Sequence, residues 1–251
     1  MRIDQLLVQK GLAENRHKAQ ALVLAGQVLA AGQRIDKPGT RVDPDCELRI
    51  LGQLPFVSRA GAKLAAAIEH FGISVQDRVC ADFGASTGGF TDCLLQRGAR
   101  SVRAFDVGRG QIAWKLRSDP RIEVRDGFNA RYVTPADLPA EISLVTLDLS
   151  FISLQKVLGP LAAALAGTGA APVDVVALVK PQFEVGRKEV GKGGIVRDPE
   201  ARARAVAAVS EFAAGAGYTV MGSMRSPITG ASGNEEFLLY LLFPAGLTSS
   251  R

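Results

Sequence analysis

Ile3, Leu6, Leu7 and Lys10 fit one helix that Gly11 closes, and a second helix is predicted from about Asn15, its N-cap, to Ala25, stopping at Gly26. Gln27 to Ile35 then reads as a short hairpin turning near Gly32, followed by the turn Asp36-Lys37-Pro38-Gly39. From Phe56 the texture changes, and strands alternate with helices almost to the end of the chain. A helix is predicted over 60–71, strands over 77–83, 103–108, 122–127, 143–148 and 174–179, a helix over 200–214, and closing strands near 218–224 and 237–243. Such alternation predicts an α/β fold around a mostly parallel sheet. The break falls in Leu51-Gly52-Gln53-Leu54-Pro55, which has neither charge nor periodicity. The expected organisation is a small α+β domain over 1–50, a linker over 51–58 and a large domain over 59–245.

Composition alters this picture little: 251 residues, 47% hydrophobic and 22% charged, are ordinary for a globular protein. Cys46, Cys80 and Cys93 form no Cys-x-x-Cys pair and leave one over from any disulfide scheme, so buried thiols in a reducing cytoplasm are expected. His17 and His70 stand far apart and no ligand-spaced cluster accompanies them, so no metal is expected. The longest uncharged stretch, Val157 to Val173, is interrupted by Gly159, Pro160, Gly167, Gly169 and Pro172, which makes it a poor bilayer span. The first residues, Met1-Arg2-Ile3-Asp4-Gln5, lack the apolar run of a secretory signal. Charge says more. Of the net +5, +3 falls within residues 1–60, where Arg16, His17 and Lys18 open the second helix against its dipole, and this points to a polyanion partner.

The strand at 77–83 empties into Gly84-Ala85-Ser86-Thr87-Gly88-Gly89-Phe90-Thr91, a glycine turn leading into a helix, which is the outline of a nucleotide-sized pocket. Phe90 stands where a P-loop needs lysine, and Ser86 where a dinucleotide fingerprint needs glycine, so both of those cofactor classes are disfavoured. What remains is Asp82, expected to point at a cationic or amine-bearing ligand; Asp106, expected to accept ribose hydroxyls; and Asp126, expected to meet an adenine amine. Three successive strands ending in Asp beside this loop resemble the S-adenosylmethionine-dependent methyltransferases of the Rossmann-like class, with Gly84, Ser86, Thr87, Gly88, Gly89 and the three carboxylates as the cofactor-binding set. The next two strands deliver Asp148 and Lys180, and desolvation at a strand end is expected to lower a lysine's pKa from about 10.4 towards use as a base. Phe90, Trp114 and Phe151 are read as packing residues.

The leading residues Arg2-Ile3-Asp4, Leu6-Leu7, Gly11-Leu12, Arg16 to Lys18 and Gly26-Gln27-Val28 resemble the S4 RNA-binding domain, with Ala30-Ala31-Gly32 in place of its usual Val-Asn-Gly turn. Lys63, Asp148, Lys180 and Glu236 look like the Lys-Asp-Lys-Glu tetrad of FtsJ-type ribose 2′-O-methyltransferases. Together with Ser58-Arg59-Ala60-Gly61-Ala62-Lys63-Leu64, Leu147-Asp148-Leu149-Ser150-Phe151-Ile152-Ser153 and Val179-Lys180-Pro181-Gln182-Phe183-Glu184, they make the chain similar to the TlyA (haemolysin A) family. That resemblance implies a seven-stranded, mostly parallel sheet, S-adenosylmethionine as cofactor, and ribosomal RNA or a ribosomal subunit as partner, methylated at cytidine 2′-hydroxyls. It also implies RNA contacts from Arg2, Arg16, Lys18 and Arg59, and from Arg187 and Lys188 in the glycine-rich loop 185–197. Two other readings remain: a non-catalytic RNA-binding or ribosome assembly factor, and a membrane-active haemolysin, which the lack of a signal or spanning segment argues against.

Overall fold

The computed structural model describes residues 1–51, 55–139, 141–169, 172–230 and 232–244, and divides at Leu54/Pro55 into two compact units. Gly52, Gln53 and Leu54, the centre of the expected linker, and residue 245 lie outside the described residues.

In the first unit, α1 (Ile3–Gln9) and α2 (Arg16–Leu24) pack over a three-stranded antiparallel sheet ordered β2 (Gln33–Ile35), β1 (Val28–Ala30), β3 (Leu48–Ile50). Ile3, Leu7, Ala19, Val23 and Val28 are fully buried between them. Asn15 caps α2 by accepting from the Lys18 amide at 2.9 Å. The β1–β2 turn needs two left-handed residues, and Ala31 (φ 48°) takes one of them beside Gly32 (φ 78°). β3 was not foreseen, since three residues amid turns carry too little alternation to announce a strand.

The second unit is a seven-stranded sheet ordered β6 (Ile122–Asp126), β5 (Ser101–Asp106), β4 (Val79–Phe83), β7 (Ile142–Leu147), β8 (Val173–Val179), β10 (Phe237–Phe243), β9 (Thr219–Arg225). β4 to β8 run parallel, and β10 is antiparallel to both its neighbours. β4 is buried along its whole length, as a central parallel strand covered on both faces must be. One face is covered by α3 (Ala60–Phe71) and α4 (Gly89–Gln96), the other by α6 (Gln155–Thr168) and α8 (Pro199–Gly215), while the one-turn helices α5 (Trp114–Arg117) and α7 (Pro181–Glu184) lie on the connections that follow β5 and β8. α6 runs through Gly159 and Pro160; an interior proline costs a helix about 3 kcal/mol. Burial of Val157, Leu158, Leu161 and Leu165 against the sheet offsets that cost. Among the described residues no helix is long and apolar enough to cross a membrane.

Residues 55–58, expected to be linker, are packed onto the second unit. The Val57 amide donates to Asp92 Oδ2 at 2.8 Å, the Pro55 carbonyl accepts from Gln96 Nε2 at 2.9 Å, and the Phe56 ring occupies the space beside Gly61, where a Cβ would collide with it.

Candidate active site

Chain order runs outward from β4 through β5 to β6, then returns to β7 and β8 on its other side. The crevice above the carboxyl ends of β4 and β7 is therefore the topological switch point, where open α/β sheets bind ligands. The glycine turn closes its floor. Gly84 has φ 82°, and any Cβ there would run into the Asp148 main-chain carbonyl, so only glycine lets the two strand ends approach. The Gly84 and Ala85 amides both donate to the Phe105 carbonyl, and the Asp148 amide donates to that of Phe83.

Asp106 takes the role of loop anchor as well as rim group. Its carboxylate accepts from the Ser86 amide at 2.8 Å and the Gly108 amide at 2.7 Å. It borders a cavity of about 680 Å³ that also meets Phe83, Ser86, Phe128, Asn129 and Ile152. A second cavity of about 300 Å³ adjoins it, faced by Arg59, Lys63, Thr87, Asp148 and Lys180; Gly84, Ser86, Asp148 and Ser150 border both. The larger has the size and mixed apolar and polar lining of a nucleoside pocket.

The four residues expected to form a tetrad come together as two ion pairs. Lys63 Nζ lies 2.5 Å from Glu236 Oε2, both deeply buried, and Lys180 Nζ lies 2.7 Å from Asp148 Oδ1. Lys180 Nζ also donates to Ser150 Oγ at 2.9 Å. Both lysines face the smaller cavity, whereas Glu236 stands behind Lys63, so its partner is Lys63 and not Lys180.

Two carboxylates fall elsewhere than expected. Asp82 is fully buried beneath the loop and borders neither cavity; its two oxygens accept from Thr91 Oγ1 (2.7 Å) and Thr146 Oγ1 (2.8 Å). Burial pushes its carboxyl up to about 6 despite both hydroxyls. It ties the first turn of α4 to β7 instead of reaching a ligand, because the side chain of this strand position points to the sheet face that α4 covers. Asp126 is turned away as well. It pairs with Arg117 at 2.6 Å, accepts from the Gly110 amide at 3.1 Å, and is held below the usual carboxylate range by Arg117. Phe128 and Asn129 border the cavity in its place.

Ser86 and Thr87 face the smaller cavity, while Gly88 lies against Leu116 and Gly89 against Ser58 and Ala60. Arg59 is exposed at that cavity, and Arg187 and Lys188 are exposed on their loop. In the first unit, Arg2 and Arg16 both pair with Asp4, and Lys18 pairs with Glu14. Phe90 is packed as expected, at 2% exposure, but Phe151 and Trp114 are 91% and 79% exposed. Phe151 has φ 63°, which turns its ring out of the core, where it rests at 5.3 Å from that of Phe183. Ser150 and Glu184 were missed as individual residues. Glu184 fixes this loop by accepting from Ser153 Oγ (2.7 Å) and the Leu154 amide (2.8 Å). The signal was present in the two motifs that contain them, but only as a pattern without roles.

The family model described as FtsJ-like methyltransferase matches residues 56–243, and that of the S4 domain matches residues 1–47. The chain is 48% identical over 242 residues to the 16S/23S rRNA (cytidine-2′-O)-methyltransferase TlyA of Mycobacterium tuberculosis, covering 96% of this chain and 89% of that protein. It is 38% identical to Hemolysin A of Brachyspira hyodysenteriae, over 96% of this chain and all of the other. A solved structure from Streptococcus thermophilus that carries a hemolysin name is 44% identical, with a TM-score of 0.73 over 98% of this chain and 89% of that one.

Proposed function

Because the chain belongs to the TlyA (haemolysin A) family of FtsJ-like methyltransferases, we propose that it methylates a cytidine ribose 2′-hydroxyl in ribosomal RNA. The observation that carries the reading is the two ion pairs, Lys63–Glu236 and Lys180–Asp148, whose lysines face the small cavity that adjoins the larger one. The residues present suit S-adenosylmethionine: a Gly84 turn that no side chain could share, a cavity wall that includes the Phe83, Phe105 and Phe128 rings, and the Asp106 carboxylate on its rim. When bound, that cofactor supplies an electrophilic methyl group on a sulfonium.

The protein's part is positioning and proton management. Holding an acceptor oxygen at near-attack distance can supply ~7–11 kcal/mol of a barrier. Lys63 and Lys180 face the cavity left for the acceptor, and Arg59 at its mouth suits a neighbouring phosphate. Lys180 Nζ, once it has released its own proton to solvent, is the atom proposed to take the hydroxyl proton, with Ser150 fixing its direction and Asp148 holding the ammonium that results, which is the ion-paired state described above. Lys63 and Glu236 neutralise one another, so the site gains a second cation near the acceptor without an unpaired buried charge.

Purified protein incubated with tritiated S-adenosylmethionine and isolated ribosomal subunits should label RNA, and nuclease digestion should return the label as 2′-O-methylcytidine. Label on a base, or none on either subunit, would overturn the reading.

A further inference from the structure

Asp4, on the first turn of α1, is fully buried, yet it is the meeting point of three side chains, Arg2 from the N-cap of α1 and Arg16 and Gln20 from α2. Its oxygens accept from Arg2 Nε at 3.0 Å and Nη2 at 3.1 Å, from Arg16 Nε at 2.9 Å and from Gln20 Nε2 at 3.0 Å. These bonds, that to Arg2 foremost, hold the carboxyl well below the usual range. Both guanidiniums remain at the surface, 41% exposed for Arg2 and 53% for Arg16. Among the described residues, the two Nη atoms of Arg16 and Nη1 of Arg2 make no hydrogen bond to protein.

We infer that Asp4 is a positioning residue that holds Arg2 and Arg16 as a fixed two-guanidinium clamp for one RNA phosphodiester. The inference rests on the RNA reading above. Arg16 meets Asp4 through Nε alone, which leaves its two Nη atoms as a fork that matches phosphate oxygens, while Arg2, held at both Nε and Nη2, offers Nη1. An arginine left free loses its rotamer freedom on binding; these two have lost it on folding. The clamp therefore reverses an ordinary electrostatic expectation. Removing a negative charge from a basic RNA-binding face should strengthen binding to a polyanion, whereas removing the charge that aligns the clamp should weaken it.

The test uses the full chain and a fluorescein-labelled RNA hairpin, with Kd measured by anisotropy from 50 to 300 mM NaCl. Asp4→Asn should raise Kd by about fivefold or more and flatten the log–log salt slope by about one, the signature of one lost phosphate contact. Arg2→Ala with Arg16→Ala should weaken binding at least as much, and adding Asp4→Asn to that pair should change nothing further. Arg16→Lys is a second route that leaves Asp4 in place: it keeps the charge but removes both the Nε bond and the fork, and should weaken binding too. Unchanged or tighter binding by Asp4→Asn or by Arg16→Lys would overturn the clamp while leaving the RNA reading intact. So would an Asp4→Asn effect of equal size on the double-alanine background, which marks Asp4 as a mere staple between α1 and α2. Failure of the wild type to bind the hairpin with any salt dependence would remove the RNA reading, and the clamp with it.

Discussion

Asp82→Asn isolates the cost of a charge placed under the cofactor loop. The Asp82 carboxyl moves from its ordinary 3.8 to about 6 on folding, chiefly through burial. A carboxyl raised in this way binds its proton more tightly in the native state, so its stabilising effect is complete below pH 4 and is lost as pH rises through 6. At ~1.4 kcal/mol per pH unit of displacement, the ionised form at neutral pH costs the fold roughly 3 kcal/mol, of which roughly 2 develops between pH 4.5 and 7.5. Asparagine fills the same volume and does not ionise; its amide can donate to Thr91 or Thr146, whose hydroxyls can accept, so a pH-independent offset of about 1 kcal/mol is expected from rearranged hydrogen bonds. Urea denaturation of wild type and Asp82→Asn, followed by circular dichroism across that pH range, measures the difference. It should shift in favour of the variant by roughly 2 kcal/mol between pH 4.5 and 7.5. A flat difference would mean that burial does not raise the Asp82 pKa and that the fold carries its charge without cost.

Lys180→Ala should lower kcat by about 10²–10⁴ with little change in cofactor or RNA affinity, and Lys180→Arg should be almost as damaging because guanidinium keeps its proton; retained activity in the arginine variant, read in the tritium assay, would leave Lys180 a positioning group. Gly84→Ala should abolish S-adenosylmethionine binding by calorimetry, because its methyl must displace the Asp148 main chain; binding within twofold of wild type would show that the turn is not the cofactor's floor. Glu184→Ala frees Ser153 and Leu154 and should lower kcat/KM by about 10–10²-fold at an unchanged melting temperature, in proportion to the misplacement of the Ser150 loop. Acid should act oppositely on the two units. Asp4, held low by Arg2, stabilises the first unit above the ordinary carboxyl range and loses that effect as pH falls, so hydrogen exchange should rise in residues 1–50 at pH 3.5 while β4 and β7 stay protected.

Strand ends were the most legible part of the sequence, because a buried parallel strand is an uninterrupted apolar run and its end is marked by the first polar residue. That rule placed Asp106, Asp148 and Lys180 correctly beside the crevice. It misplaced Asp82 for a physical reason: a strand's last two side chains point to opposite faces, so a carboxylate one residue early is sealed against a neighbour instead of reaching the cavity. Asp126 needed knowledge of Arg117, nine residues away on a four-residue helix that no periodicity announced. α6 was hidden by Pro160, whose local cost is outweighed only by packing that sequence does not display. Trp114 and Phe151 were assigned to the core by hydrophobicity alone, and left-handed backbone at a non-glycine residue such as Phe151 has no sequence signature.

The last strand has a consequence for the order in which the protein can be made. Lys63 lies in the first helix of the second unit, and its ion-pair partner among the described residues, Glu236, arrives 173 residues later, just before β10. β10 must then slot between β8 and β9, antiparallel to both. On a ribosome the leading unit is complete long before this, so the nascent chain holds a finished RNA-binding module attached to an unfinished enzyme. Until Glu236 emerges, Lys63 has no counter-charge to be buried with, and closing the catalytic end is opposed by its desolvation. Such long-range pairing is slow to form and comes last. A chain cut short before Glu236 lacks both the partner of Lys63 and the strand that joins β8 to β9.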